Sequence, residues 1–327
     1  MARADDAGNL QVVWTAARAA GDSGDGKRVR FFFPDVEELP IPPGHRFPAI
    51  KYRLLREAIE REAILPLECL TPSPPAEIAD LERAHASAYI EAVLDGTLAA
   101  DTIRRIGLPW SPALARRSRA TVGGSLAAAR EALRHGLSGQ LAGGTHHAHR
   151  DFGSGFCVFN DLAVAALTLL EEGVARRIAI LDVDVHQGDG NAAILVGQPG
   201  MMVVSIQGER NFPFRRVPSD VDVELPDGTE DRAYLHALAD ILPAIEAHRP
   251  DLVLYLSGVD PLKEDRLGRL SLTHDGLAER DRMVFEMCRR RGFPVSIAIG
   301  GGYAVPIEAS VAAYANTFRV ARDVFGA

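Results

Sequence analysis

Cysteine is scarce. Cys69, Cys157 and Cys288 are the only three in 327 residues, and no two of them form a C-x-x-C pair. A disulfide framework and an all-thiolate zinc site are therefore not expected, and any metal has to be held by histidine and carboxylate. Basic charge is in deficit too: 36 Lys and Arg stand against 44 Asp and Glu, a net charge of −8. That balance argues against a chain whose main task is gripping a phosphate backbone, because counterion release needs a basic surface. A cationic substrate, such as a lysine-bearing peptide or a polyamine, stays open. Nothing approaches the roughly 18 consecutive apolar residues of a membrane span, and no basic segment followed by an apolar core opens the chain. The expectation is a soluble cytoplasmic protein with no membrane contact and no direct nucleic-acid binding. With 47% hydrophobic and 24% charged residues, it should be folded rather than disordered.

Residues 1–28 read as a flexible tail, with Gly21-Asp22-Ser23-Gly24-Asp25-Gly26 lacking apolar periodicity. Order is expected from Val29-Arg30-Phe31-Phe32-Phe33, a short strand, and a single domain from there to residue 327. Leu39 to Pro48 carries four prolines and reads as a loop. Short runs rich in Val and Ile at 177–183, 201–206, 252–257 and 294–299 predict buried strands. Helices are expected over 49–62, 75–94, 112–135, 161–173, 231–247, 275–291 and 306–323, with Pro243 kinking or ending the fifth. Strand and helix in alternation imply an α/β protein with a parallel sheet covered on both faces.

Ligands of such sheets bind beyond the carboxyl ends of the strands, so the polar residues there matter most. The run after the 177–183 strand is Asp182-Val183-Asp184-Val185-His186-Gln187-Gly188-Asp189-Gly190. Strand alternation would set Asp182, Asp184 and His186 on one face. Two carboxylates and an imidazole so placed repel and desolvate unless a cation or proton holds them. The 252–257 strand leads to Gly258-Val259-Asp260-Pro261, and the 294–299 strand to Gly300-Gly301-Gly302-Tyr303, where the glycines leave the tyrosine free to swing. Upstream, Gly143-Gly144-Thr145-His146-His147 puts two imidazoles after a glycine turn. Taken singly, each piece has a plain structural reading: a capped strand end, an exposed loop, a turn, a helix N-cap. Three strand ends in one sheet, each supplying a ligand-type or proton-donating residue, favour a site.

Those motifs, with Gly155-Phe156-Cys157 and Asn160-Asp161 between them, resemble the histone deacetylase family in the family's own order over residues 29–325. Gln187, where class I members tend to carry a second histidine, the Pro42-Pro43-Gly44-His45-Arg46-Phe47-Pro48 loop and Asn211-Phe212-Pro213-Phe214 look more like the class IV branch and its bacterial relatives. The resemblance implies an arginase/deacetylase-like three-layer α/β/α fold. It implies zinc, or ferrous iron, held by Asp184, His186 and Asp260 with a coordination position left open. It implies His146 and His147 flanking a water, backed by Asp182 and Asp189, and Tyr303 donating to the oxyanion. By the same resemblance Gly155 and Phe156 form one wall of a substrate tunnel, Phe212 or Phe214 the other with one of the two in the core, and Leu267 the rim. Arg46 lines an internal pocket for the carboxylate product, Cys157 packs near the site, and a structural potassium ion uses Asp182, Asp184, His186 and Ser205.

The implied reaction is hydrolysis of an N-acyl lysine-type amide, acetyl or longer, on a peptide, protein or other acylated amine, the class IV likeness favouring long chains. Acetylpolyamines and small-molecule amides are the alternative substrates. A dinuclear ureohydrolase of the arginase type needs a further carboxylate where Gly188 stands, and a non-catalytic acyl-lysine binder would not need the whole set of polar residues.

Overall fold

The computed structural model describes residues 29–326; the tail expected over 1–28 lies outside them. Eight strands form one sheet, every pair in it parallel. In chain order they are β1 (Phe31–Phe33), β2 (Leu70–Pro72), β3 (Leu137–Gln140), β4 (Ile178–Asp182), β5 (Met201–Gly208), β6 (Val221–Leu225), β7 (Leu252–Leu256) and β8 (Val295–Ala298), arranged across the sheet as β2-β1-β3-β8-β7-β4-β5-β6.

Alternating strand residues feed two cores. Leu181, Val204, Tyr255 and Ile297 face one side, packed under α1 (Ile50–Arg61), α8 (Asp231–His248), α9 (His274–Arg291) and α10 (Ile307–Phe325). Ile180, Val203, Leu254 and Ala298 face the other. There they meet α2 (Ile78–Ala84), α3 (Ser87–Asp95), α4 (Ala100–Ile106), α5 (Pro112–His135), α6 (Asp161–Glu171) and α7 (Asp189–Leu195). Side-chain alternation on strands buried on both faces thus produces the expected three layers.

From β4 the chain moves outward to β5 and β6, then returns to place β7 on the other side of β4. The β4–β7 boundary is a topological switch point, where diverging connections leave a crevice beyond the strand ends. Asp184 and His186 follow β4 and Asp260 follows β7, so this crevice receives them.

Several elements differ from the sequence expectation. The helix anticipated over 75–94 is two helices, α2 and α3. At the break His85 is extended and its ring turns inward, Nδ1 to the His149 carbonyl at 2.9 Å while Nε2 accepts from the Asn160 N–H at 2.9 Å. Pro243 neither stops α8 nor shortens it: the helix runs to His248. Both Pro243 and Ala239, whose carbonyl the proline cannot bond, lie on the exposed face where water serves instead. The short β2, β3 and β6 and the helices α4 and α7 have no counterpart in the sequence reading. β3 reads Leu-Ser-Gly-Gln and looks like a turn, yet it is wholly buried, with Gln140 bonded to Ser73, Thr121 and Ser125.

Burial pushes His85 down to about 4 from 6.5. A group depressed in the folded state costs nothing above its unfolded value, and its penalty grows as pH falls from 6.5 towards 4, reaching about 3 kcal/mol. Urea unfolding of the wild type should lose stability across that window more steeply than the His85→Gln variant.

Candidate metal centre and the cavity beside it

Asp184 and His186 converge through a loop and not through strand alternation, because β4 ends at Asp182. The loop is wound by its own acidic side chains. Asp184 N–H donates to Asp182 Oδ1 at 3.2 Å, and His186 N–H to Asp184 Oδ1 at 2.9 Å. Val185 N–H donates to Asp260 Oδ1 at 2.8 Å and Gly301 N–H to Asp184 Oδ2 at 2.6 Å, tying three strand ends together.

One ligand atom each from Asp184, His186 and Asp260 lie within 4.8 Å of one another, all three residues buried. His186 Nδ1 stands 3.0 Å from Asp184 Oδ1 and 3.0 Å from Asp260 Oδ2. Burial and the charge of Asp184 push the Asp260 carboxyl up to about 7, the response of two buried carboxylates sharing too little positive charge. Two carboxylates, one imidazole and an open side suit a divalent cation of the zinc or ferrous type. Among the described residues this is the one such cluster, and at Gly188, where a second ion would need a further carboxylate, a Cβ would lie 2.4 Å from Asp182 Oδ2.

His146 and His147 follow β3. Asp161, the first residue of α6, holds their loop by accepting from Gly144 N–H, Thr145 N–H and the Thr145 hydroxyl at 3.0, 2.7 and 2.7 Å. Each imidazole has its own carboxylate: His146 Nδ1 to Asp182 Oδ2 at 2.7 Å, and His147 Nδ1 to Asp189 Oδ1 at 2.7 Å. The two rings respond oppositely. Burial opposes charge on both, but Asp182 and Asp184 overcome it at His146 and raise it to about 9. At His147 burial and the neighbouring charge of His146 prevail and lower it to about 4.

Tyr303 is pinned, contrary to the freedom expected of its glycine run. Its N–H donates to Asp265 Oδ2 at 2.5 Å, its carbonyl accepts from Arg266 Nε at 3.3 Å, and its ring lies between Phe156 and Lys51. Burial and the charges of Asp184 and Asp260 push its phenol well up, so it stays a hydrogen-bond donor. Lys51, buried at the start of α1, donates to the carbonyls of Gly300 and Gly302 at 3.3 and 3.4 Å and to Tyr314 Oη at 3.3 Å.

The candidate metal ligands Asp184 and His186, with His146, His147, Lys51 and Tyr303, line one cavity of about 40 Å³, with Gly155 and Phe156 in its wall. Gly155 and Phe156 both have left-handed backbones, φ +54° and +66°. Phe212 meets His147 edge-on at 4.8 Å between ring centroids. Phe214 is 89% exposed and touches the site only through Phe212; neither ring is core. Leu267 is half-buried, and its carbonyl accepts from Asn211 Nδ2 at 2.7 Å, joining the 211–214 segment to the Tyr303 side.

Arg46 does not line an internal pocket. It is exposed, since the preceding prolines and glycine carry the loop outward while Phe47 turns in. The guanidinium that reaches inside is that of Arg117 on α5, 4.8 Å from the Tyr52 ring and lining an adjoining cavity of about 50 Å³ with Ser118 and Thr121. The two cavities share Phe47, Tyr52, Gly143, Thr145 and Phe156. Lys51, Arg117 and His149, which bonds Asp189, escaped the sequence reading. Only Lys51 had a signal, a lysine four residues before Leu55 on the buried stripe of α1.

An added Cβ at Gly155 would lie 2.5 Å from His147 Cδ2, on a backbone that side chains avoid. Gly155→Ala should therefore cost about 1–3 kcal/mol in urea unfolding, with the His147 ring displaced in a crystal structure.

Among known proteins, an uncharacterized protein of Picosynechococcus sp. is 44% identical over 299 residues, covering 90% of this chain and 98% of that one. Histone deacetylase 2 of Arabidopsis thaliana is 26% identical over 279 residues, covering 82% and 72%. The crystal structure of a histone deacetylase homolog from Aquifex aeolicus superposes with a TM-score of 0.77 at 24% identity, over 92% of this chain and 84% of that one. The family model described as the histone deacetylase domain matches residues 45–318, and the chain belongs to the histone deacetylase family.

Proposed function

We propose that this deacetylase-family hydrolase cleaves a short N-acyl group from a lysine-type amine at the cavity between β4, β7 and β8, holding zinc or ferrous iron by Asp184, His186 and Asp260. The observation that carries the reading is the clustering of those three donors, with Asp184 and His186 lining one small cavity beside two differently charged histidines and a protonated phenol. Bound there, the metal supplies Lewis acidity toward the amide carbonyl and toward water.

The chain's own groups do the rest. His147 carries its Nδ1 proton toward Asp189, which leaves Nε2 to take a proton from the attacking water and return it to the leaving amine nitrogen. His146, raised by Asp182 and Asp184, holds positive charge beside the same water. Tyr303 donates its phenolic proton as a hydrogen bond to the oxygen where negative charge develops. Gly155, Phe156 and Phe212 take the amine's methylenes, with Leu267 and the exposed Phe214 at the rim. Arg117, in place of Arg46, receives the carboxylate product, for which its planar donor fork is suited. Ser205 pairs with Asp182 across β4 and β5, and its buried hydroxyl has no hydrogen-bond partner among the described residues; this supports a potassium ion at that turn.

Acyl length follows from size. Cavities of about 40 and 50 Å³ take an acetyl group, whereas a long chain needs the Leu108, Leu114 and Phe159 wall to move. The class IV likeness points to longer chains, and the cavity favours the shorter. On metal-replete enzyme, kcat/KM should fall from acetyl-lysine through octanoyl- to myristoyl-lysine peptides and vanish with a chelator. Acetylated polyamines in the same panel decide between peptide and small amine. Tyr303→Phe should lower kcat by about 10²–10³; turnover within twofold of wild type would remove the tyrosine from the mechanism. Arg117→Met should raise the acetate inhibition constant about tenfold or more, the cost of one charge-assisted hydrogen bond, and an unchanged constant would place the carboxylate elsewhere.

A further inference from the structure

The Asp189 carboxylate serves two imidazoles. Oδ1 takes the Nδ1 proton of His147 at 2.7 Å, and Oδ2 lies 3.0 Å from His149 Nε2. Burial pushes this carboxyl up, but the hydrogen bonds from His147 and His149 outweigh it and hold the group below the usual range. An ionised carboxylate only accepts, so the proton of His149 sits on Nε2.

The second imidazole is itself well fixed. Its ring stacks on Phe152 at 4.4 Å and 18°, and the Arg105 guanidinium lies 4.3 Å over that same phenylalanine. Its backbone N–H donates to the Phe152 carbonyl at 2.8 Å, and its carbonyl meets His85 Nδ1 at 2.9 Å. His85 accepts at Nε2 from Asn160 N–H, so it donates at Nδ1. Side-chain exposure rises from 5% at His147 to 15% at His149, making His149 the outer end of a His–Asp–His chain.

We propose that His149 is a positioning residue for the reaction: its Nε2–H fixes the Asp189 carboxylate so that Oδ1 keeps the His147 proton on Nδ1 and leaves Nε2 turned to the substrate. This rests on the reading of His147 as the proton-transferring base. Without the second donor, Oδ2 becomes a buried oxygen with no proton to accept, and the carboxylate rotates or draws in water. His147 then loses its aim without losing its chemistry. Turnover should suffer and substrate binding should not.

The test uses the metal-loaded enzyme. His149→Phe preserves a flat ring on Phe152 but removes the donor; His149→Gln keeps an N–H. His149→Phe should lower kcat about tenfold to a hundredfold, the scale of outer hydrogen-bond partners, with KM within twofold, and His149→Gln should recover most of the loss. Because the effect runs through Asp189, His149→Phe added to Asp189→Asn should cost nothing further. Turnover of His149→Phe within twofold of wild type, or additive losses in that cycle, overturns the proposal. A second readout needs no substrate. The downfield proton resonance that disappears in Asp189→Asn belongs to the His147–Asp189 bond, and it should move in His149→Phe and return in His149→Gln. If it stays in place the proposal fails even if the enzyme acts on some other amide; if it moves while no acyl-lysine is cleaved, only the substrate reading fails.

Discussion

Asp184 and Asp260 bring two carboxylates together in the buried interior, and the surrounding architecture is arranged to hold them there. Their repulsion is met first by backbone: Gly301 N–H and His186 N–H serve Asp184, and Val185 N–H serves Asp260. Those donors come from the ends of β4 and β8, and Asp260 from the end of β7, so the geometry of the cluster depends on the register of all three strands. In low dielectric an unpaired charge is expensive, and a loop that strayed would leave a carboxylate without its N–H. The centre and the sheet hold each other in place.

Close approach is the second requirement, and glycine meets it. Gly258 and Gly301 pass so near Asp184 and Asp260 that an added Cβ would lie 2.4 Å from Asp184 Oδ2 in one case and 2.0 Å from Asp260 Oδ2 in the other. The carbonyls of these turns then need partners, which two buried cations provide. Lys51 takes Gly300 and Gly302 from α1. Arg280 on α9, neutralised by Asp281, takes Gly258 at 2.6 Å and Ser257 at 3.2 Å. Asp281 is itself held by Tyr255 and Thr317 at 2.6 Å each. Burial lowers Lys51 to about 8, with Asp260 and Asp184 working against that fall. The helical layers thus fasten the loops that carry Asp260 and Tyr303.

This division explains what could be read from residues in order and what could not. Asp182, Asp184, His186 and Asp189 stand in one short run, and His146 and His147 are adjacent, so local spacing exposed them. The four main strands were legible because Val and Ile runs buried on both faces have no polar alternation to confuse them. β3 was not, since its Ser138 and Gln140 are satisfied by residues far along the chain, Arg30 and Ser73. Arg46 and Arg117 show the same limit. An arginine beside a recognisable loop motif attracts the assignment, but whether its side chain points inward depends on α1 and α5 packing around Tyr52, contacts between residues tens of positions apart. His149 lies two residues from a motif histidine and still carries no mark of its partner, because α7 brings Asp189 to it.

The two histidines illustrate how one fold places unlike chemistry side by side. They are neighbours in sequence, equally buried, each bonded to an aspartate at 2.7 Å, yet burial and charge drive them in opposite directions. The difference is Asp184: its charge reaches His146, whose Nε2 lies 3.9 Å from Asp184 Oδ1, and reinforces Asp182. His147 has instead a charged neighbour and a carboxylate shared with a second imidazole. A divalent ion held by Asp184, His186 and Asp260 would withdraw part of the field that favours His146⁺ and add positive charge near both rings, which would lower His146 and keep His147 neutral. Occupancy of the centre and the protonation of His146 would therefore be coupled. His147 is the neutral ring of the pair in any case, and the aspartates behind the rings decide which nitrogen is left free to act.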